Sequence, residues 1–330
     1  MKPLRIQGHM HVMSGKIVSR FLLFFVLFIT ACGSQQTPAP PSPTPSPMPT
    51  DTPTPIPIQK YLDPGDYVTA IEVNNTRRWF TVHLPPDYQP DVPLPLVINL
   101  HAVTQTAFQQ EILSGMNAKA DEENFIVVNP QAIGAPPAWL GPIPGSAGQA
   151  DMDFFEKLLE FLQTEIRVDP NRIYATGMSN GATMANRIGC DMSVTFAAIA
   201  PVAGGHVAFN RCEVERPVSV IVFHGTDDPT IPYDGVENDI PPVHLWVGAW
   251  ADRDGCDSTP ILSHPHTMVT KETWGNCDED VEVALYTLEG GGHTWPGAPL
   301  SVTFASSFPY ISATDLIWEF FEAHPRSVNP

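Results

Sequence analysis

Six apolar, β-branched runs recur between Leu94 and Gly290: LPLVINLH, NFIVVNP, RIYATG, FAAIAPVAG, SVIVFHG and VEVALYTLEG. Each is short enough for a strand, and none shows the polar alternation of a strand with one wet face, so these strands are buried on both sides. Between them lie segments of helical period. In DMDFFEKLLEFLQTEIR, residues Phe154, Phe155, Leu158, Leu159, Leu162 and Ile166 share one face. NGATMANRIG begins another helix, PPVHLWVGAWAD reads as a third, and SATDLIWEFFEAH closes the chain with Ser312 and Asp315 at capping-box spacing. YVTAIEVNN and RWFTVHL precede the series as an antiparallel pair of strands. Strands alternating with helices predict an α/β fold, a mostly parallel central sheet with helices on both faces. No internal repeat is evident.

The chain of 330 residues divides into three parts. In residues 1–32, Lys16 and Arg20 precede the apolar core FLLFFVLFIT, which is too short to span a bilayer but suits an export signal. The run Ile29-Thr30-Ala31-Cys32 that follows is similar to a bacterial lipobox, with Cys32 as the lipidated first residue of the mature chain. Residues 33–58 form a Pro/Thr/Ser-rich linker. Ten of the 36 prolines fall between Ser34 and Ile58, so this stretch has few backbone donors and reads as an extended spacer. Residues 59–330 form the folded domain. The expected setting is extracytoplasmic: a membrane-anchored lipoprotein at the cell surface, or a secreted protein if Cys32 is unmodified.

The segment IYATGMSNGATMANRI carries the pattern Gly177-x-Ser179-x-Gly181 between a strand and a helix. Glycines at both positions permit the sharp turn that lifts a serine hydroxyl above a sheet. A serine hydroxyl is a poor nucleophile at neutral pH and needs a base. His293 lies in EGGGHTWPG after one later strand, and Asp228 lies in FHGTDDPTIPY after another. The order Ser, Asp, His suits a hydrolase triad: His293 takes the proton of Ser179, and Asp228 orients the imidazole. Asp227 competes with Asp228 for that place. Two backbone N–H groups are needed for the oxyanion, one from Asn180 and one from the turn at Ala102 or Val103, with Val103 favoured.

Of the other histidines, His101 ends a central strand beside the site, His224 precedes a glycine, and His206 follows Gly204-Gly205 as a candidate for lining the cleft. Trp295, two residues from His293, and Trp139, in APPAWLGP, are candidate substrate-facing aromatics together with His101. Apart from Cys32 there are four cysteines: Cys190, Cys212, Cys256 and Cys277. An even number in an exported chain suggests two disulfides. Three pairings exist; Cys190 with Cys212 and Cys256 with Cys277 is favoured, because sequence neighbours close short loops. No Cys-x-x-Cys or His-Glu-x-x-His spacing points to a metal, and no phosphate loop or dinucleotide fingerprint points to a nucleotide cofactor.

Formal net charge is −19, and loss of the signal, with its four basic residues, leaves 13 basic against 36 acidic residues. That balance opposes nucleic acid and anionic lipid as partners and suits a neutral substrate.

The segments LPLVINLHAVTQ, RVDPNRIYATGMSNGATMANRIGC, FAAIAPVAGG, FHGTDDPTIPY, LYTLEGGGHTWPG and ATDLIWEFF together resemble the secreted poly(3-hydroxybutyrate) depolymerase and feruloyl esterase group of α/β-hydrolases, close to carbohydrate esterase family one. They span nearly all of the chain after the linker. The resemblance implies Ser179, Asp228 and His293 as the triad and supports the same disulfide pairing. It also marks departures: Ala102 stands where the group usually has glycine, so an oxyanion turn that is either adjusted or slightly strained is expected, and Ala182 and Thr183 stand where glycine and methionine are common. The function expected is a serine esterase working through an acyl-enzyme on hydroxyalkanoate oligomers, or alternatively on feruloyl or acetyl esters of plant polysaccharide. A binding protein on a hydrolase fold and an acyltransferase are the rivals.

Overall fold

The computed structural model describes residues 63–141, 146–206, 209–237, 239–298 and 307–326. The signal, Cys32 and the proline-rich linker lie outside the described residues. A single ten-stranded sheet organises the domain, in the order β1-β2-β4-β3-β5-β6-β7-β10-β9-β8. β1 (Gly65–Val73) and β2 (Thr76–Leu84) pair as a hairpin, and β2 runs antiparallel to β4 (Ile126–Pro130). Six central strands are parallel: β4, β3 (Leu94–Leu100), β5 (Val168–Met178), β6 (Ala198–Val202), β7 (Ser219–Gly225) and β10 (Val283–Leu288). An antiparallel hairpin, β8 (Ile261–His266) and β9 (Val269–Trp274), extends the far edge.

The apolar runs are continuous because both faces of these strands are covered. Side chains alternate across a strand. In β3, Leu96, Ile98 and Leu100 enter one core while Val97 enters the other; in β7, Val220 and Val222 part in the same way from Ile221 and Phe223. The first core is closed by Phe154, Phe155 and Leu158 of α3 (Ser146–Glu165), by Met184 and Ile188 of α4 (Asn180–Asp191), and by Trp246 and Trp250 of α5 (Val243–Arg253). The second is closed by Leu113 of α1 (Ala107–Ser114), by Met116 and Ala120 of α2 (Met116–Glu123), and by Ile317, Trp318 and Phe321 of α6 (Ala313–Ala323). Trp318 stacks on Phe125 at 3.9 Å between ring centroids, and Phe321 on Tyr174 at 4.5 Å, so α6 is fixed by aromatic contacts as well as by its apolar stripe. The Ser312 hydroxyl caps α6 by accepting the Asp315 N–H at 3.2 Å. Among the described residues no helix is long and apolar enough to cross a membrane.

Both disulfides take the favoured pairing. Cys190–Cys212 ties α4 to the loop before β7, and Cys256–Cys277 ties the end of α5 to the turn after β9. Two disulfides fit a chain that matures in an oxidising compartment.

Candidate active site

Ser179 stands between β5 and α4 with φ 56° and ψ −115°, a positive-φ backbone outside the left-handed helical region that a serine rarely adopts. The surroundings impose it. The Ser179 N–H donates to the Val202 carbonyl at 2.9 Å, and the Ser179 carbonyl accepts the Thr183 N–H at 3.0 Å. The turn can close this tightly because its flanks lack side chains. A Cβ at Gly177 would lie 2.6 Å from the Leu100 carbonyl oxygen, and one at Gly181 would press on the carbonyls of Leu100 and His101. The glycines of the motif are thus required by close passage beneath the end of β3. Ser179 itself is 6% exposed, and its hydroxyl makes no hydrogen bond among the described residues.

The acid and the histidine come from the neighbouring parallel strands β7 and β10, where Gly225 pairs in register with Leu288. The two loops leave the sheet at one level and are bonded to each other. Thr226 N–H donates to Leu288 O at 3.0 Å, Asp227 N–H to Gly291 O at 2.9 Å, and Gly290 N–H to Thr226 Oγ1 at 2.8 Å. Across this seam His293 Nδ1 meets Asp228 Oδ2 at 2.8 Å. Asp228 Oδ1 accepts the N–H groups of Thr230 at 2.8 Å and Ile231 at 2.9 Å. Asp227 is exposed and contributes its backbone to the seam, so the carboxylate against His293 is that of Asp228. Burial raises the Asp228 carboxyl; the His293 hydrogen bond, the Ile231 N–H, the charge of His293 and the Thr230 N–H outweigh it, and the carboxyl ends below its ordinary range.

Asn180 opens α4, so its N–H has no carbonyl within the helix to bond. Ala102 is buried and Val103 is exposed, in the turn after β3. Of the two expectations at Ala102, the structure takes the adjusted turn: Ala102 has no positive φ, and the left-handed residue is Thr104 at φ 69°, held by its N–H to Pro137 O at 2.8 Å. The positive φ of this turn thus falls two residues after Ala102, on a β-branched residue.

Three expected substrate contacts need correction. His101 is fully buried, and its ring is spent on the scaffold: Nδ1 donates to Ala102 O at 2.7 Å, while Nε2 accepts from Ala132 N–H at 3.0 Å and Gln131 Nε2 at 3.1 Å. Those partners require the neutral ring protonated on Nδ1, and burial lowers its pKa in the same sense. Trp139, at 1% exposure, is a strut. Its backbone N–H and carbonyl bond the Asn180 side chain at 2.7 and 3.0 Å, and its indole Nε1 donates to His101 O at 3.0 Å. It joins the serine elbow to the turn after β3. Trp295 is equally buried and donates to Thr314 Oγ1 at 3.0 Å, which docks the histidine loop on α6. Each tryptophan faces inward because its N–H finds a buried acceptor. His206 does not line a cleft either. It packs against Trp246 and Trp250 beside Cys190, and burial, with the charge of Arg253, pushes its pKa down to about 3. Cys190, His206 and Cys212 lie close together, but the disulfide leaves no thiolate for a metal.

A strained serine at a strand–helix turn, with a histidine–aspartate pair on later loops at the same ends of a parallel sheet, has the form of an α/β-hydrolase of the serine hydrolase kind. The family profile described as Esterase PHB depolymerase matches residues 79–228. NocK of Nocardia uniformis subsp. tsuyamanensis, an esterase by name, is 30% identical over 253 residues, covering 67% of this chain and 70% of its own. Feruloyl esterase B of Piromyces equi is 30% identical over 243 residues, covering 69% of this chain and 44% of its own, so the chain spans less than half of that relative. The solved acetyl xylan esterase from Aspergillus awamori shares the fold, with TM-score 0.57 at 16% identity over 78% of this chain and 99% of its own. The chain belongs to the esterase PHB depolymerase family.

Proposed function

We propose that the protein is an exported serine esterase with Ser179 as nucleophile, His293 as general base and acid, and Asp228 as the carboxylate that orients His293. The observation that carries this reading is the 2.8 Å contact of His293 Nδ1 with Asp228 Oδ2, in loops bonded to each other at the strand ends where Ser179 also stands. His293 Nδ1–H donates a hydrogen bond to Asp228 Oδ2 and keeps its proton, so Nε2 is left as the base. Ser179 Oγ attacks the ester carbonyl carbon while its proton passes to His293 Nε2. The oxyanion is received by the N–H groups of Asn180 and Val103. The tetrahedral intermediate expels the alcohol, which takes the proton from His293. Water, deprotonated by the same nitrogen, then releases the acid and frees Ser179.

The substrate class is a neutral, apolar ester, with hydroxyalkanoate oligomers first. The acidic surface disfavours anions. Exposed Val103 follows β3, and Phe108 and Ile112, four residues apart on α1, add apolar surface close by in the chain. The name of the Piromyces equi relative supports feruloyl esters as the second reading. In this reading residues 59–330 are the catalytic domain, and the lipidated Cys32 with the linker 33–58 holds it off a membrane. The test compares kcat/KM of the full chain and its Ser179→Ala variant on a 3-hydroxybutyrate oligomer and on methyl ferulate. The expected result is turnover of the oligomer and none by the variant. Preference for ferulate overturns the substrate, and activity in the variant overturns the nucleophile. Incorporation of radiolabelled palmitate lost in Cys32→Ala tests the anchor.

A further inference from the structure

We infer that His224 is a positioning residue for the triad acid, acting as a neutral imidazole protonated on Nε2; this rests on the triad reading above. His224 is the next-to-last residue of β7, opposite Thr287 of β10, and its side chain is wholly inaccessible to solvent. Nε2 lies 2.8 Å from the Ile231 carbonyl oxygen. A carbonyl only accepts, so the proton sits on Nε2. Nδ1 is buried and has no partner among the described residues. The same Nε2 lies 3.5 Å from Asp228 Oδ2, the oxygen that His293 uses.

These contacts close a ring around the carboxylate. The Ile231 N–H holds Asp228 Oδ1, the Ile231 carbonyl is held by His224, and the His224 N–H dipole faces Asp228 Oδ2. Residue 231 is therefore gripped on both sides of its α-carbon, and the turn 228–231 cannot swing from the seam without breaking a buried hydrogen bond. His224 faces Asp228 and His293 as its charged or titratable neighbours, with the Tyr233 ring at 6.0 Å. Burial and the charge of His293 disfavour a charged His224, although the Ile231 carbonyl and Asp228 favour one, and its pKa is lowered overall. The consequence is chemical. A second imidazolium beside Asp228 would compete with His293 for the one carboxylate; a neutral N–H donor orients the carboxylate and leaves its charge to His293.

The test is His224→Leu in the full chain, with His224→Gln as the conservative variant whose amide supplies a donor toward Ile231. On a p-nitrophenyl short-chain ester, His224→Leu is expected to lose about 10- to 100-fold in kcat, part of the roughly 10²–10⁴-fold that general acid–base catalysis supplies, with KM within about threefold. A less well held Asp228 stabilises the His293 imidazolium less, so the acid limb of kcat/KM moves to lower pH, by about half a unit. His224→Gln is expected to recover most of kcat and return the limb. Unchanged kcat and limb in His224→Leu overturn the proposal, as does an equal loss in both variants with an unmoved limb. If His224→Leu does not fold, ¹⁵N shifts of the wild-type ring decide the question without turnover. The neutral Nε2–H form between pH 5 and 8 is expected; an Nδ1–H or doubly protonated ring overturns it. Ser179→Ala reports the triad reading separately, so the failure of either idea is visible without the other.

Discussion

Asp228, in the loop after β7, and Asp254, at the end of α5, are 4% and 0% exposed, yet their carboxyl groups shift in opposite directions. Asp228 ends below its ordinary range because four hydrogen-bonding and charge contributions outweigh burial. Asp254 is pushed up to about 8 by burial, which the Val218 N–H and Arg253 do not offset and to which the charge of Asp278 adds. The count of donors makes the difference. Among the described residues, Asp228 takes three good hydrogen bonds; Asp254 takes one, from Val218 N–H at 3.3 Å, and its Oδ2 finds no partner. Burial alone thus yields a neutral acid, and only burial with donors aimed at both oxygens yields an anion fit to orient a histidine.

The largest test of this contrast is catalytic. Asp228→Asn keeps the shape but loses the charge, and is expected to cut kcat by about 10⁴-fold, the scale seen when a triad acid is made neutral. Asp254→Asn and Asp227→Asn are expected to stay within about twofold of wild type, because neither touches His293. A comparable loss in Asp227→Asn, measured by steady-state kinetics on a short-chain ester, would break the assignment.

A second test is structural. Cys256–Cys277 closes a loop of sequence separation 21 beside Asp254, and Cys190–Cys212 one of 22 on α4, the helix that follows Ser179. By loop entropy each contributes about 3 kcal/mol. Replacing both cysteines of either bridge by alanine is expected to lower Tm to a similar degree. Only loss of Cys190–Cys212 is expected to lower kcat as well, since α4 carries the serine elbow. Equal kinetic effects would show that the elbow is held by the sheet alone.

A third test opens the seam. A Cβ at Gly225 would collide with the carbonyl of Gly291 and come within 2.9 Å of that of Gly292. Gly225→Ala should force the acid and histidine loops apart at a stability cost of about 1–3 kcal/mol, the range of overpacked sites. The expected readout is a lower kcat at nearly constant KM. If kcat is unchanged, the interloop hydrogen bonds are not what sets the Asp228–His293 distance.

The same contrast explains what the amino-acid sequence disclosed. The strands announced themselves because both faces are buried, and the helices α3 to α6 because their apolar stripes meet the sheet. α1 and α2 give no such signal: each spans only eight residues, and α2 (MNAKADEE) is largely polar, so neither carries a readable period. The β8–β9 hairpin gives none either, for β8 lies exposed at the sheet edge and has no core pattern. The placement of Ser179, Asp228 and His293 after strand ends was legible because local context, strand then turn, marks each one. The inward turn of Trp139 and Trp295 was not legible. Their partners, Asn180 and His101 for one and Thr314 for the other, are set by the tertiary fold, and no spacing in the chain encodes those contacts.

The smallest expected effect concerns Asp254 itself. Its folded-state carboxyl titrates near pH 8, while in the unfolded chain it titrates near pH 4. Between those values the folded protein holds a proton that the unfolded chain has released, so stability falls as pH rises across that window and is level outside it. Asp228 runs the other way: its carboxylate contributes stability above the unfolded-chain value, and that contribution is lost as pH falls through its depressed folded value. Asp254→Asn removes the first dependence. Set against the desolvation of a buried amide, the expected gain at pH 8 is on the order of 1 kcal/mol, or about 2–4 °C in Tm, shrinking to nothing near pH 4. Thermal melts of wild type and Asp254→Asn at intervals from pH 4 to 9 measure it. A Tm difference that is constant with pH would mean that Asp254 is ionised in the fold, and that a partner for its second oxygen, not burial, governs its charge.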